Sequence, residues 1–297
     1  MKKVAMVLIF LLVMSFGIYH KVGEYIGSAY VLGAKLNLIE VSDDSLVFTV
    51  AVIVPNPITL DVKYASHNLG LYYDDHLLAV VNTSSGVLAG GSKNTIIYEG
   101  KIPMEALKQW FYYHAARGWR SELYIKGRIV VQFGPVKAPI YVHSKIKEVS
   151  SNPFAEIINR EFLGREENVG YYRLQYPLVK FSGVTWDGRT LRMKLTYINN
   201  STSPILVQFP TYEFRANSIT LGTTVTDSIL IPGKSTVESE VVMDTQNIEK
   251  FLFLHFANGE TTVFEISMEG AIKYLGITKR GKIFDIKFTY RTDIFSR

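Results

Sequence analysis

Residues 107–118 (LKQWFYYHAARG) and residues 248–259 (IEKFLFLHFANG) carry one pattern twice, 141 positions apart. In each stretch, apolar or aromatic residues occupy the first, fourth, fifth and ninth places, and a histidine occupies the eighth. This spacing predicts a helix with one apolar face. Gly118 and Gly259 end the two stretches and suit the left-handed residue that follows a helix. The shared stripe and the shared glycine indicate an internal duplication.

Near the start of each copy, large apolar residues recur at every second position, as in half-buried strands. The alternation runs through residues 48–54 in the first copy and through residues 191–197 in the second, 143 positions apart. Asn56 and Asn199 follow the two runs at equivalent places. Pro57 predicts the end of strand pairing in the first copy, because proline cannot donate to a β-ladder.

A strand that contains Gly127 follows the first helix, and a strand that contains Gly270 follows the second. Many short strands separated by turn residues, with one helix in each copy, predict a mainly β fold of two tandem antiparallel sandwiches. We expect the two domains at residues 31–149 and 174–297. Residues 150–173 are polar with a short amphipathic piece and predict a linker with a small helix.

The N-terminus carries a hydrophobic segment, within residues 1–22. Lys2 and Lys3 precede 16 uncharged residues, whereas a spanning helix usually needs ~20. We expect an uncleaved anchor helix; a cleaved signal peptide and a buried core helix are the alternatives. Because positive residues stay in the cytoplasm, the domains would lie outside it, in a single-pass protein or, after cleavage, a secreted one. The segment includes Val4, Leu8, Leu12, Phe16 and Tyr19.

The sequence contains little that points to catalysis or to nucleic acid. It has no cysteine, which excludes disulfides and thiolate metal sites. The net charge of +5 comes without a dense run of Lys or Arg, so we expect no nucleic-acid partner. His114 and His255 have no carboxylate or second histidine on their helix faces, and the adjacent acidic pairs lie in turns or linkers. We expect neither an enzyme nor a cofactor or metal, although a site assembled from distant segments would not be visible in sequence.

Four short motifs follow one another in the first copy. They are the alternating strand that ends VPNP at residues 54–57, a glycine turn at 90–92, Ile102-Pro103 before the helix, and LxIxG at 123–127. This order resembles the late-embryogenesis-abundant type 2 family, also called the WHy domain family. The second copy is similar in its helix and in Gly270 but lacks the Asn-Pro pair. The chain resembles an archaeal tandem form with an N-terminal membrane segment.

The resemblance implies that each copy is an immunoglobulin- or fibronectin-III-like antiparallel β-sandwich of about seven strands with one helix. It implies a role linked to desiccation or osmotic stress, and no catalysis. The residues that carry the family motif are Asn56, Pro57, Gly127 and Gly270.

Two functions compete on these observations. The first is a membrane-anchored, non-catalytic protein outside the cytoplasm, used in protection against water stress or as an envelope scaffold with protein partners. The second is binding or transfer of a lipid or hydrophobic ligand at the membrane, for which packing between the domains is the competing interpretation. The apolar residues that suggest it are Phe251, Phe253, Leu254 and Phe256. In an exported chain, the candidate glycosylation sites are Asn82, Asn199 and Asn200.

Overall fold

The computed structural model describes residues 31–133, 136–158, 160–162, 166–169 and 172–295. The predicted membrane segment, with Val4, Leu8, Leu12, Phe16 and Tyr19, lies outside these ranges. Within them, neither helix is long and apolar enough to cross a membrane. The membrane anchor therefore stays a prediction from sequence.

The described chain is mainly β, with antiparallel sheets and two helices, as the sequence predicted. The helices are α1 (Met104–Ala116) and α2 (Ile248–Ala257). The strands of the first half are β1 (Gly33–Val41), β2 (Ser45–Asn56), β3 (Val62–Tyr64), β4 (His67–Tyr73), β5 (His76–Thr83), β6 (Gly86–Leu88), β7 (Ser92–Pro103), β8 (Arg120–Phe133) and β9 (Val136–Ser150). The strands of the second half are β10 (Glu161–Phe162), β11 (Glu166–Val169), β12 (Tyr172–Gln175), β13 (Leu178–Trp186), β14 (Thr190–Asn199), β15 (Ile205–Ala216), β16 (Ile219–Val225), β17 (Ile229–Ile231), β18 (Ser235–Asp244), β19 (Thr261–Tyr274) and β20 (Ile277–Arg291).

Each helix ends as its sequence predicted. Gly118 follows α1 with φ 70°, and Gly259 follows α2 with φ 71°. This left-handed conformation suits glycine because it has no β carbon. The chain then turns directly into β8 or β19.

Strands pair in the same order in the two halves. The first half contains the runs β1–β2–β7 and β5–β4–β8–β9, and the second contains β13–β14–β18 and β16–β15–β19–β20. Each helix connects the last strand of the first run to the third strand of the second run. The repeat seen in the local sequence patterns is thus also present in the order in which the strands pair.

The two runs are joined in the first half and separate in the second. β5 pairs with β7 at Val81↔Gly100 and Asn82↔Glu99, which makes one nine-stranded sheet. A β carbon on Gly100 would lie 2.6 Å from a methyl group of Val81 and 2.8 Å from the Phe48 ring. The close approach of β5 and β7 therefore depends on the missing side chain at Gly100.

The chain divides into two compact units that do not follow the repeats throughout. The first unit contains the described residues up to Leu107, those of Ser121–Val149, and those from Asp293 on. The second contains Lys108–Arg120 and the described part of Ser150–Thr292. The sequence places α1 in the first domain and the C-terminal end in the second, whereas residues 108–116 of α1 belong to the second unit and the described residues from Asp293 on belong to the first.

The second unit holds a large aromatic core that explains the position of α1. The Trp186 ring of β13 lies 5.2 Å from that of Phe214 on β15 and 5.9 Å from that of Phe264 on β19. These contacts join the four-stranded and five-stranded sheets face to face. Phe111 of α1 lies 5.2 Å from Trp186 and 5.4 Å from Phe251 of α2. The apolar face of α1 is thus buried among the rings of the second unit.

The two helices also meet through a pair of equivalent positions. Lys108 Nζ lies 2.6 Å from Glu249 Oε1, and these residues are 141 positions apart. Both side chains are partly exposed, so the ion pair adds little to stability.

The core of the first unit follows the predicted alternation. The inward residues of β2 are at most 1% exposed, whereas residues between them reach the surface. The inward residues are Leu46, Phe48, Val50, Val52 and Val54.

Candidate functional site

Two buried asparagines occupy equivalent positions at the ends of β2 and β14. Asn56 is 1% exposed and Asn199 is 2% exposed. The Asn56 side-chain amide donates to the carbonyls of Leu60 and Leu88, each at 2.9 Å. Each asparagine therefore links, through its hydrogen bonds, the loop that follows its strand to a segment 32 residues further along. We call this set of hydrogen bonds the asparagine tie.

Asn199 makes the same hydrogen bonds to carbonyls at the equivalent positions of the second copy. Its amide donates to the carbonyls of Ser203 (2.8 Å), Ile231 (3.1 Å) and Pro232 (3.0 Å). Ser203 and Ile231 are each 143 positions beyond the two acceptors that Asn56 uses. The Asn199 side-chain oxygen also accepts from the backbone N–H and the hydroxyl of Ser201. Asn199 thus has the same structural role as Asn56, although no proline follows it.

The other motif residues have structural positions too. Pairing of β2 with β7 ends at Asn56, directly before the exposed Pro57, as predicted. Gly127 has φ 156°, and a β carbon there would lie 2.5 Å from the side chain of Leu69 on β4. Gly270 has no such strain; it faces a bulge in the neighbouring strand β15.

His255 lies in a buried hydrogen-bonded cluster at the end of α2. Its Nδ1 is 3.0 Å from the Thr262 hydroxyl, and its Nε2 is 2.8 Å from the Thr292 hydroxyl. The Thr292 hydroxyl donates to Glu260 Oε2 at 2.7 Å. A neutral ring with its proton on Nε2 satisfies all three bonds. Burial lowers the pKa of His255 to about 3, so the ring stays neutral at ordinary pH and serves the packing.

His114 occupies the equivalent position in α1 and is also buried. Its Nε2 lies 3.4 Å from the Ser151 hydroxyl, which lies 3.1 Å from the Tyr290 hydroxyl. The His114 ring stacks on Trp110 at 5.1 Å. These contacts hold the end of α1 to the segment that begins at Ser150, within the second unit.

The apolar helix face that suggested a lipid site is mostly core. Phe251 and Phe256 are buried, and Phe251 lies 5.5 Å from the Phe264 ring. Their burial favours packing over ligand binding for these two residues. Phe253 and Leu254 are partly exposed and fall off the buried stripe, as their spacing indicated.

The three glycosylation candidates differ in accessibility. Asn82 on β5 and Asn200 after β14 are exposed. The Asn199 amide is buried and used in three hydrogen bonds, so the folded protein cannot carry a glycan there. Asn199 is therefore wrong as a glycosylation site, and the other two stay predictions.

An open cleft of about 420 Å³ lies at the bulge in β15, where the sequence pattern predicts no site. Gln208 pairs with Ala271 and Thr211 pairs with Glu269, so Phe209 and Pro210 together oppose Gly270 alone. Pro210 has no N–H for the ladder, which is the signal in the sequence that could have located the bulge.

Phe209 is the unusual residue of this cleft. It is 67% exposed, and its φ is 41°, in the left-handed region. A bulky residue held there costs about 1–3 kcal/mol relative to glycine. Its N–H donates to the Ser228 hydroxyl at 3.2 Å, and the Pro210 carbonyl accepts from the Thr226 N–H at 3.1 Å. These bonds hold the bulge and direct the aromatic ring toward solvent.

The described residues contain no group of three or more His, Cys, Asp or Glu side chains placed to hold a metal ion. The aspartate pairs at residues 43–44 and 74–75 lie in turns, whereas the glutamate pair at residues 166–167 lies in β11. Asp44 is an example: hydrogen bonds from Ser42 and Ser45 and the nearby Lys101 lower its pKa to about 2.

Comparison with solved structures finds matches of low similarity. No family model and no curated protein matches the chain. A protein from Archaeoglobus fulgidus matches with a TM-score of 0.33 and 15% identity, over 44% of this chain and all of that one. Red sea bream transglutaminase matches with a TM-score of 0.24 and 10% identity, over 94% of this chain and 33% of that chain. The likeness is too low to bear on fold or function, and the resemblance to the late-embryogenesis-abundant type 2 family stays a prediction.

Proposed function

We propose that the chain is a non-catalytic protein of two tandem immunoglobulin-like β-sandwich domains of the late-embryogenesis-abundant type 2 kind. Its N-terminal segment anchors it in the membrane, and both domains lie outside the cytoplasm. There it protects the cell surface against water loss or serves as an envelope scaffold.

The observation that carries the proposal is the repeated asparagine tie. Asn56 and Asn199 hold backbone carbonyls whose positions differ by the same 143 residues as the asparagines themselves. A structural role of this kind is what we expect of the asparagine in the family motif. The recurring strand order supports the same domain type for both halves.

A structural rather than catalytic role fits the way the buried polar groups are used. The His255 ring bonds to two threonine hydroxyls, and each buried asparagine bonds to backbone carbonyls. These bonds connect separate elements of the fold and stabilise it.

A drying assay tests the protective role. The full chain is reconstituted in liposomes and dried with lactate dehydrogenase, and enzyme activity is measured after rehydration. We expect severalfold more activity than with liposomes that carry an equal mass of albumin. Recovery no better than with albumin would reject protection. Chemical cross-linking in the native envelope then tests the scaffold role, and the absence of any discrete cross-linked partner would reject that role too.

A further inference from the structure

The cleft at the β15 bulge presents an aromatic side chain that the fold does not need. Phe209 is exposed and contributes no ring to the core, yet its backbone has a φ of 41° that glycine or asparagine would adopt with less strain. Residues held in such conformations concentrate at binding sites, where an interaction with a ligand favours their retention.

Leu275 is another exposed, bulky residue with a left-handed φ, and it shows what such a φ means where there is no binding site. Leu275 also has a left-handed φ, 48°, and is exposed, but it lies in the two-residue turn between β19 and β20 beside Gly276, where that turn requires positive φ. Phe209 lies within a strand, and its side chain lines a cleft. Leu275 is therefore a matched control for backbone strain without a site.

Polar side chains surround Phe209 without being used by the fold. Gln208, Thr211 and Arg280 line the cleft, and none of their side chains makes a hydrogen bond with the part of the chain that the structure describes. Together they offer donors and acceptors, and the lining carboxylate of Glu269 adds further acceptors. Gly281, on β20, leaves open space at the wall, where a β carbon would meet no atom within 4 Å.

We propose that this cleft binds a saccharide, with one sugar ring placed on the face of Phe209. A sugar ring has an apolar C–H face and a rim of hydroxyl groups, which matches an aromatic face with free polar side chains around it. A volume of about 420 Å³ lies within the range of small-ligand sites. A lipid chain would need a deeper apolar lining than the polar wall formed by Gln208, Glu269 and Arg280. The site does not depend on the protective or scaffolding role.

Saturation-transfer NMR on the full chain in nanodiscs tests the site, with maltotriose, mannotriose and chitotriose as separate probes. We expect at least one of them to bind at millimolar concentration. Phe209→Ala is expected to weaken that binding at least tenfold, Phe209→Tyr to retain it, and Arg280→Gln to weaken it severalfold.

Two control variants distinguish loss of the site from loss of the fold. Phe209→Gly removes the ring and relieves the strain, so binding is lost while the urea midpoint stays equal or rises. Leu275→Gly also relieves a left-handed φ, so its urea midpoint stays equal or rises, while saccharide binding is unchanged. Tyr141→Ala removes another exposed aromatic ring, on β9, and also leaves binding unchanged. The proposal is overturned if none of the three saccharides binds, or if Phe209→Ala and Tyr141→Ala bind equally well.

Discussion

Replacement of Asn199 by alanine tests whether the asparagine tie holds the loop at the end of β14. The substitution removes one donor from each of three carbonyls, the buried carbonyl of Ile231 and the part-buried carbonyls of Ser203 and Pro232. A buried carbonyl that loses its donor costs about 1–3 kcal/mol. The other two carbonyls keep a second donor, the Ser201 hydroxyl for Ser203 and the Ser235 hydroxyl for Pro232, so each lost bond costs about 0.5–1 kcal/mol. We therefore expect Asn199→Ala to lower the free energy of unfolding by about 2–5 kcal/mol.

Urea denaturation of the full chain, followed by tryptophan fluorescence, measures the effect. Trp186 reports directly, because it lies in the core of the same unit. Asn200→Ala is the matched control, since Asn200 is the exposed neighbour, and it should change stability by less than about 0.5 kcal/mol. Equal midpoints for the two variants would refute the role of the tie in stability, and with it the main support for the proposed domain type.

Three further predictions concern the cores of the two units. The unfolded chain binds a proton on His255 below about pH 6.5, whereas the folded chain does not until about pH 3. The stability that the neutral ring contributes is thus complete above about pH 6.5 and is lost as the pH falls. Between about pH 6 and pH 4, His255→Gln should therefore reduce the slope of the unfolding free energy against pH by about 1.4 kcal/mol per pH unit. Urea titration at each pH measures this slope. Gly100→Ala should cost about 1–3 kcal/mol in the same urea assay, because its β carbon would lie 2.6 Å from Val81; Gly33→Ala, where a β carbon meets nothing within 4 Å, should be nearly neutral. Trp186→Ala should cost about 3–5 kcal/mol, measured by far-ultraviolet circular dichroism in urea, and a loss below about 1 kcal/mol would contradict its place in the aromatic core.

The local pattern of the chain was enough for some features of the fold and of the candidate sites. Period-two alternation identified β2 and β14, and the glycines after the helices marked where each helix ends. The equivalence of Asn56 and Asn199 was also visible as a constant offset. These features depend on residues close in sequence, because the direction of a side chain follows from the period of its own helix or strand.

Only the tertiary structure decided which surfaces these elements bury. The apolar stripe of α1 required a partner, but its periodicity is the same whether that partner is the first unit or the aromatic core around Trp186. In the same way, the ring of His255 finds Thr292 37 residues away, and the Phe209 cleft forms where three strands meet. Such contacts join residues far apart in the chain. Amphipathic periodicity shows that one face of a helix or strand is buried, but it does not show which other element covers that face.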